Sequence, residues 1–227
     1  MAKQIKLDLG AMLKEAWQGA ARFDRGLIAP FLMLVGITMI LGVVMVELME
    51  HLGWTLHDLQ GQTLLQLILT VMLAPALVGL QLIALQQVVG LRPPMQMLWH
   101  WYRVGPVLSL TALMSLAIVN IGMMLFIVPG LFLQIALTPV LMLVADKGMS
   151  PFTAIKISVL VCVRYFVGFL LCQLLSILAV LVSAVTLGIA SLWLVPLLMR
   201  FQAILYRELF GVRLKLATGN SQAMFNA

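Results

Sequence analysis

Residues 104–145, VGPVLSLTALMSLAIVNIGMMLFIVPGLFLQIALTPVLMLVA, contain no Lys, Arg, Asp, Glu or His. As one helix this 42-residue stretch would measure about 63 Å at ~1.5 Å per residue, twice the ~30 Å hydrocarbon core of a bilayer. It must fold back on itself. Val128-Pro129-Gly130 is the expected place, since Pro starts a helix well and Gly tolerates a turn. Two membrane-crossing helices joined by a tight reversal follow.

The same arithmetic extends outward. Tyr165–Met199 is also too long for one crossing, and Thr186-Leu187-Gly188 is its expected reversal. Gly26–Val46 supplies a single span of about the ~20 residues required, and charge-free Gly61–Leu91 holds one longer helix. Composition agrees: 63% of residues are apolar, 10% are charged and the mean hydropathy is +1.11. Soluble domains sit near ~45–50% and ~25%. The expected fold is all-α, a polytopic membrane protein with six transmembrane helices arranged as three hairpins. It forms one membrane domain over residues 1–227, with 212–227 as a cytoplasmic tail.

Charge placement orients these spans. All 14 Lys and Arg residues fall before the first span, between spans two and three, between four and five, or at the carboxyl end. The first loop on the other side offers Glu47, Glu50, His51, His57 and Asp58 without one Lys or Arg. The positive-inside rule therefore places both termini in the cytoplasm. The net charge of +6 is topology signal and anionic-lipid attraction in this arrangement, and nucleic acid is not an expected partner. The first 25 residues carry charges at eight positions and contain no apolar core of signal-peptide type, so the first span is expected to remain in the protein.

Three basic segments on the cytoplasmic side carry helical patterning of their own. Leu9, Met12, Leu13, Ala16, Trp17, Ala20 and Phe23 share one face of a helix whose other face holds Lys14, Gln18, Arg22 and Arg25. Met95, Leu98, Trp99 and Tyr102 repeat the pattern, and Ser150-Pro151 opens a third helix ending near Arg164. Such helices suit the headgroup plane, or else extend the following span. Each ends beside an aromatic residue, an Arg and a Gly, and every second span carries an internal Pro: Pro75, Pro139 and Pro196. A threefold repeat over 8–91, 92–149 and 150–211 would produce this, with bends expected at the three prolines. Shared membrane patterning without common ancestry would produce it too.

Ile127-Val128-Pro129-Gly130, then Ala145-Asp146-Lys147-Gly148-Met149-Ser150-Pro151, Ala154 and Ser158, and finally Leu205-Tyr206-Arg207-Glu208-Leu209-Phe210-Gly211 carry a family resemblance. Residues 105–211 resemble the YciC-like bacterial proteins and the membrane domain attached to some glycerophosphodiester phosphodiesterases. The resemblance implies a six-helix fold in the bacterial inner membrane. It does not bring the phosphodiesterase activity, since these 227 residues contain no such catalytic domain.

Catalytic patterns are scarce. There is no H-E-x-x-H, no G-x-S-x-G and no phosphate loop, and no cofactor or metal is expected. Glu47, Glu50, His51 and His57 have metal-ligand chemistry, but hydrated loop residues explain them as well. Met95, Met97 and His100 have copper-ligand types, within a chain whose 16 Met are spread through every span as packing residues. Cys162 and Cys172 are expected to be small buried hydrophobes. Intramembrane polar candidates are Gln66, Gln81, Gln86, Asn120, Gln134, Gln173 and Gln202, for interhelical hydrogen bonds or a polar path. Lipid or partner contacts are expected at Arg25, Arg103, Arg164 and above all Arg200, which lies inside the apolar zone and either snorkels or binds a lipid phosphate. The functional expectation is a non-enzymatic protein acting through anionic headgroups on the cytoplasmic side, or a membrane-protein partner. The alternative is a small transporter or channel.

Overall fold

The computed structural model describes residues 8–21, 25–54, 59–91 and 93–212. Every regular element among them is helical. In chain order these are α1 (Leu9–Ala21), α2 (Arg25–His51), α3 (Leu59–Val88), α4 (Met97–His100) with a 3-10 turn over Trp101–Val104, α5 (Gly105–Leu125), α6 (Ile127–Ala136), α7 (Val140–Lys147), α8 (Pro151–Arg164), α9 (Phe166–Val185) and α10 (Ser191–Phe210).

Among the described residues, five helices or helix runs are long and apolar enough to cross a membrane: Gly26–His51, Gln60–Val88, Met97–Leu125, Ile127–Lys147 and Phe166–Val185. The chain is thus a multi-pass, all-helical protein of membrane type. The sixth expected span corresponds to α10, whose 20 residues include Arg200, Arg207 and Glu208. These charges keep it out of the apolar set.

The core is built around the second half of α3. Val78, Leu80, Leu82, Ile83, Ala84 and Leu85 are all fully buried, although they point in every direction around the helix. A helix apolar all round needs cover on every side. Residues of α2, α4, α7 and α10 supply it, among them Leu27, Leu98, Leu143 and Tyr206. The chain folds back on α3 closely. Leu98 sits over Gly79, whose absent side chain leaves room for the Leu98 backbone, and the Tyr102 hydroxyl donates to the Met72 carbonyl at 3.0 Å.

Pro75 explains a neighbouring contact. Its ring nitrogen has no hydrogen, so the Val71 carbonyl four residues earlier loses its helical donor. The Ser109 hydroxyl of α5 takes that place at 2.6 Å. Ser109→Ala should therefore strand a carbonyl in an apolar setting and cost about 1–3 kcal/mol. A lowered unfolding midpoint in detergent would register it; an unchanged midpoint would mean the Val71 carbonyl is satisfied elsewhere. Of the other two prolines, Pro139 coincides with a real interruption between α6 and α7, whereas helix continues through Pro196.

The reversal in 104–145 falls at Phe126, three residues before Pro129, rather than at Val128-Pro129-Gly130. Phe126 alone is extended (φ −157°, ψ 141°), and α5 and α6 close directly against each other. Pro129 instead sits in the first turn of α6, where its missing N–H costs nothing. Gly130 serves the close approach: a Cβ there would lie 2.6 Å from the Met123 nitrogen. The second reversal is where the sequence puts it, with Leu187 and Gly188 both in left-handed backbone (φ 50° and 87°).

Helix α1 packs along α10, and not as an element apart. Glu15 pairs with Arg207, Gly19 lies against Arg200 and Trp17 meets Trp193, so the two helices run side by side in opposite directions. Met12 and Ala16, two residues of the expected headgroup-facing stripe, are buried with Phe201, Ile204 and Leu205. In the second segment Leu98 is buried, while Trp99 and Tyr102 keep about two-fifths of their surface exposed. The third begins at Pro151 and ends at Arg164 as its sequence indicates.

Candidate functional site

Arg200 and Arg207 stand two turns apart on α10, which places them on one face. That face carries α1. Arg207 makes a bidentate pair with Glu15, at 2.9 Å and 3.1 Å, and its guanidinium also reaches Glu208 at 3.0 Å. Arg200 is buried, at 8% exposure, and its Nη2 donates to Gln87 Oε1 at 3.0 Å. Its guanidinium lies directly against Gly19, so that a Cβ at this glycine would collide with Nη1. Arg200 therefore turns into the protein, between α1 and the end of α3, and does not reach outward along the helix.

A second polar junction joins the ends of α7 and α10. The Tyr206 hydroxyl donates to Asp146 Oδ2 at 2.9 Å, with both side chains buried. The adjacent Lys147 ammonium donates to the Phe210 carbonyl, satisfying one of the terminal acceptors of α10. Tyr206 and Phe210 stack at 5.2 Å. The sequence presented Asp146-Lys147 as loop charges. The only local signal of burial was the uninterrupted apolar run that precedes them.

The expected polar candidates do not converge. Gln173 and Gln202 both line, with Cys172, a crevice between α7, α9 and α10 of about 20 Å³, space for about one water molecule. Gln81 is in the α3 core, where its Oε1 is buried without a hydrogen-bond donor. Gln86 is buried nearby, and Asn120 and Gln134 lie on the outer surface of α5 and α6. Gln66 borders a groove of about 500 Å³ between α3, α5 and α7, with Gln62, Thr70 and several leucines. Neither that groove nor Gln87 was singled out from sequence.

Among the basic candidates, Arg103 and Arg164 are exposed, the latter with its guanidinium 5.9 Å from the Tyr165 ring centre. Arg25 is the first residue of α2, and its side chain lies outside the described residues. His51 and Glu47 approach to 3.9 Å on an exposed helix face, while His57 and Asp58 also lie outside the described residues. No group of three His, Cys, Asp or Glu residues is placed for a metal ion among the described residues. Cys162 and Cys172 are free and buried. Burial pushes the Cys162 thiol up to about 11, so it stays protonated and weakly nucleophilic at neutral pH.

Compared with protein-family models, with curated proteins and with solved structures, the chain matches none.

Proposed function

We propose that this chain is a non-enzymatic protein of the bacterial inner membrane, acting through lipid or protein contacts in envelope maintenance or as an accessory subunit. In this reading α10 is the sixth span, the helices form three hairpins, and both termini are cytoplasmic. The YciC-like resemblance of residues 105–211 belongs to the same proposal. The observation that carries it is the apolar packing around the second half of α3, where every residue from Val78 to Leu85 other than Gly79 and Gln81 is a fully buried apolar side chain. A transporter would need the mid-span amides along one route. Gln81, Asn120, Gln134, Gln173 and Gln202 are dispersed between core, outer surface and a separate crevice.

The test is purification in a gentle detergent followed by mass spectrometry of retained lipids and proteins. A reproducible anionic lipid or a stoichiometric membrane protein is the expected result. Selective solute flux in reconstituted vesicles would overturn it in favour of transport. Topology is tested separately. Reporter fusions after Asp58 should read periplasm and those after Lys147 cytoplasm, because the first loop has no Lys or Arg to retain it. A cytoplasmic signal after Asp58 would remove the six-span arrangement.

A further inference from the structure

We propose that Arg200 and Arg207 form a binding site for the phosphate of an anionic lipid, and that Glu15 of α1 occupies this site in the present structure. The inference rests on the lipid-contact reading above and names its ligand and its control. Arg207 holds Glu15 with two parallel N–H···O bonds, at 2.9 Å and 3.1 Å. Guanidinium groups use the same fork geometry for carboxylates and for phosphates. The Glu15 carboxylate thus stands in for two phosphate oxygens.

The second guanidinium is placed to share the ligand. Arg200 lies against Gly19, one helical turn beyond Glu15 on α1, and such positions are about 5–6 Å apart. A phosphate in the space vacated by this turn of α1 would lie between the two groups. Gln87 orients Arg200 from behind, and Glu208 holds Arg207 from its other side. Gly19 allows α1 to lie on the arginine with no side chain between them.

Helix α1 is suited to leaving. Among its described side chains only Met12 and Ala16 are buried, and Trp17 is half exposed against Trp193. The Glu15 side chain is 47% exposed and that of Arg207 25%, so the pair is open to the surroundings on one edge. Exposed ion pairs hold little against a competing anion. An anionic headgroup at the cytoplasmic leaflet would replace Glu15 at Arg207, and α1 would move from α10 with its apolar stripe free to enter the headgroup layer.

The experiment uses the full chain in nanodiscs, with spin labels introduced by Gln18→Cys on α1 and Leu174→Cys on α9, both exposed positions. Phosphatidylcholine discs should give one short distance, and discs containing phosphatidylglycerol should add a longer population. Inorganic phosphate added to phosphatidylcholine discs separates the sources: opening there assigns a free phosphate, opening with phosphatidylglycerol alone assigns the lipid. Glu15→Gln and Arg207→Gln each remove the ion pair and should both loosen α1. Their lipid retention should diverge, with Glu15→Gln keeping several-fold more phosphatidylglycerol than wild type and Arg207→Gln several-fold less. A purely structural pair predicts the same change in both. Equal retention in the two variants, or an α1 distance indifferent to phosphatidylglycerol, would overturn the site. Failure of the broader lipid-contact reading would look different, with no lipid or partner retained by any form.

Discussion

Gly79→Ala should lower the unfolding midpoint of the purified protein in mild detergent, whereas Gly42→Ala should leave it unchanged or raise it. A Cβ at Gly79 would stand 2.7 Å from the Leu98 carbonyl oxygen and 3.0 Å from the Leu98 Cα. Both are backbone atoms, so no rotamer change relieves the clash, and α4 must shift bodily from α3. Forcing atoms into a packed core costs about 1–3 kcal/mol. Gly79→Leu should exceed that, because the surrounding Val78, Leu80 and Leu82 are fully buried and cannot yield. Gly42 lies in α2 with nothing within 4 Å of its would-be Cβ. There the gain in helix propensity, about 0.5–1 kcal/mol in water, acts unopposed. Equal midpoints for the two variants would mean that Leu98 does not pack on α3 and that the core has another arrangement.

The contrast between those two glycines marks what the sequence could and could not reveal. Hydropathy and length locate the helices, because hydrocarbon thickness and backbone hydrogen bonding leave little choice. Local chemistry placed the Leu187-Gly188 reversal and the start of α8 at Pro151. The other reversal falls three residues early because Gly122 and Gly130 let α5 and α6 touch immediately, so a single extended residue is enough. What covers each face is non-local information. The apolar stripe of α1 was legible, but its partner was not, since periodicity reveals a face and not its neighbour. Arg200 was recognised as lying inside the apolar zone. Its inward direction depends on Gly19 and Gln87, which belong to segments far away in the chain.

Asp146→Ala should destabilise the protein more than Tyr206→Phe, and the double variant should lose less than the sum of the two. Asp146 closes α7 and Tyr206 lies on the last turn and a half of α10, so their 2.9 Å hydrogen bond joins two helix ends across sixty residues of sequence. Removing the carboxylate leaves the Tyr206 hydroxyl, on a residue only 2% exposed, without this acceptor. A stranded buried polar group costs about 1–3 kcal/mol. Tyr206→Phe keeps the ring and its stacking on Phe210 at 5.2 Å and deletes only the donor. Asp146 also engages other groups, so its loss reaches further than the tyrosine hydroxyl. Removing both partners spares the stranding penalty, and the coupling read from unfolding midpoints should amount to about 0.5–3 kcal/mol. Strictly additive losses would show that Asp146 and Tyr206 act independently, leaving the Lys147 ammonium on the Phe210 carbonyl as the polar tie between α7 and α10.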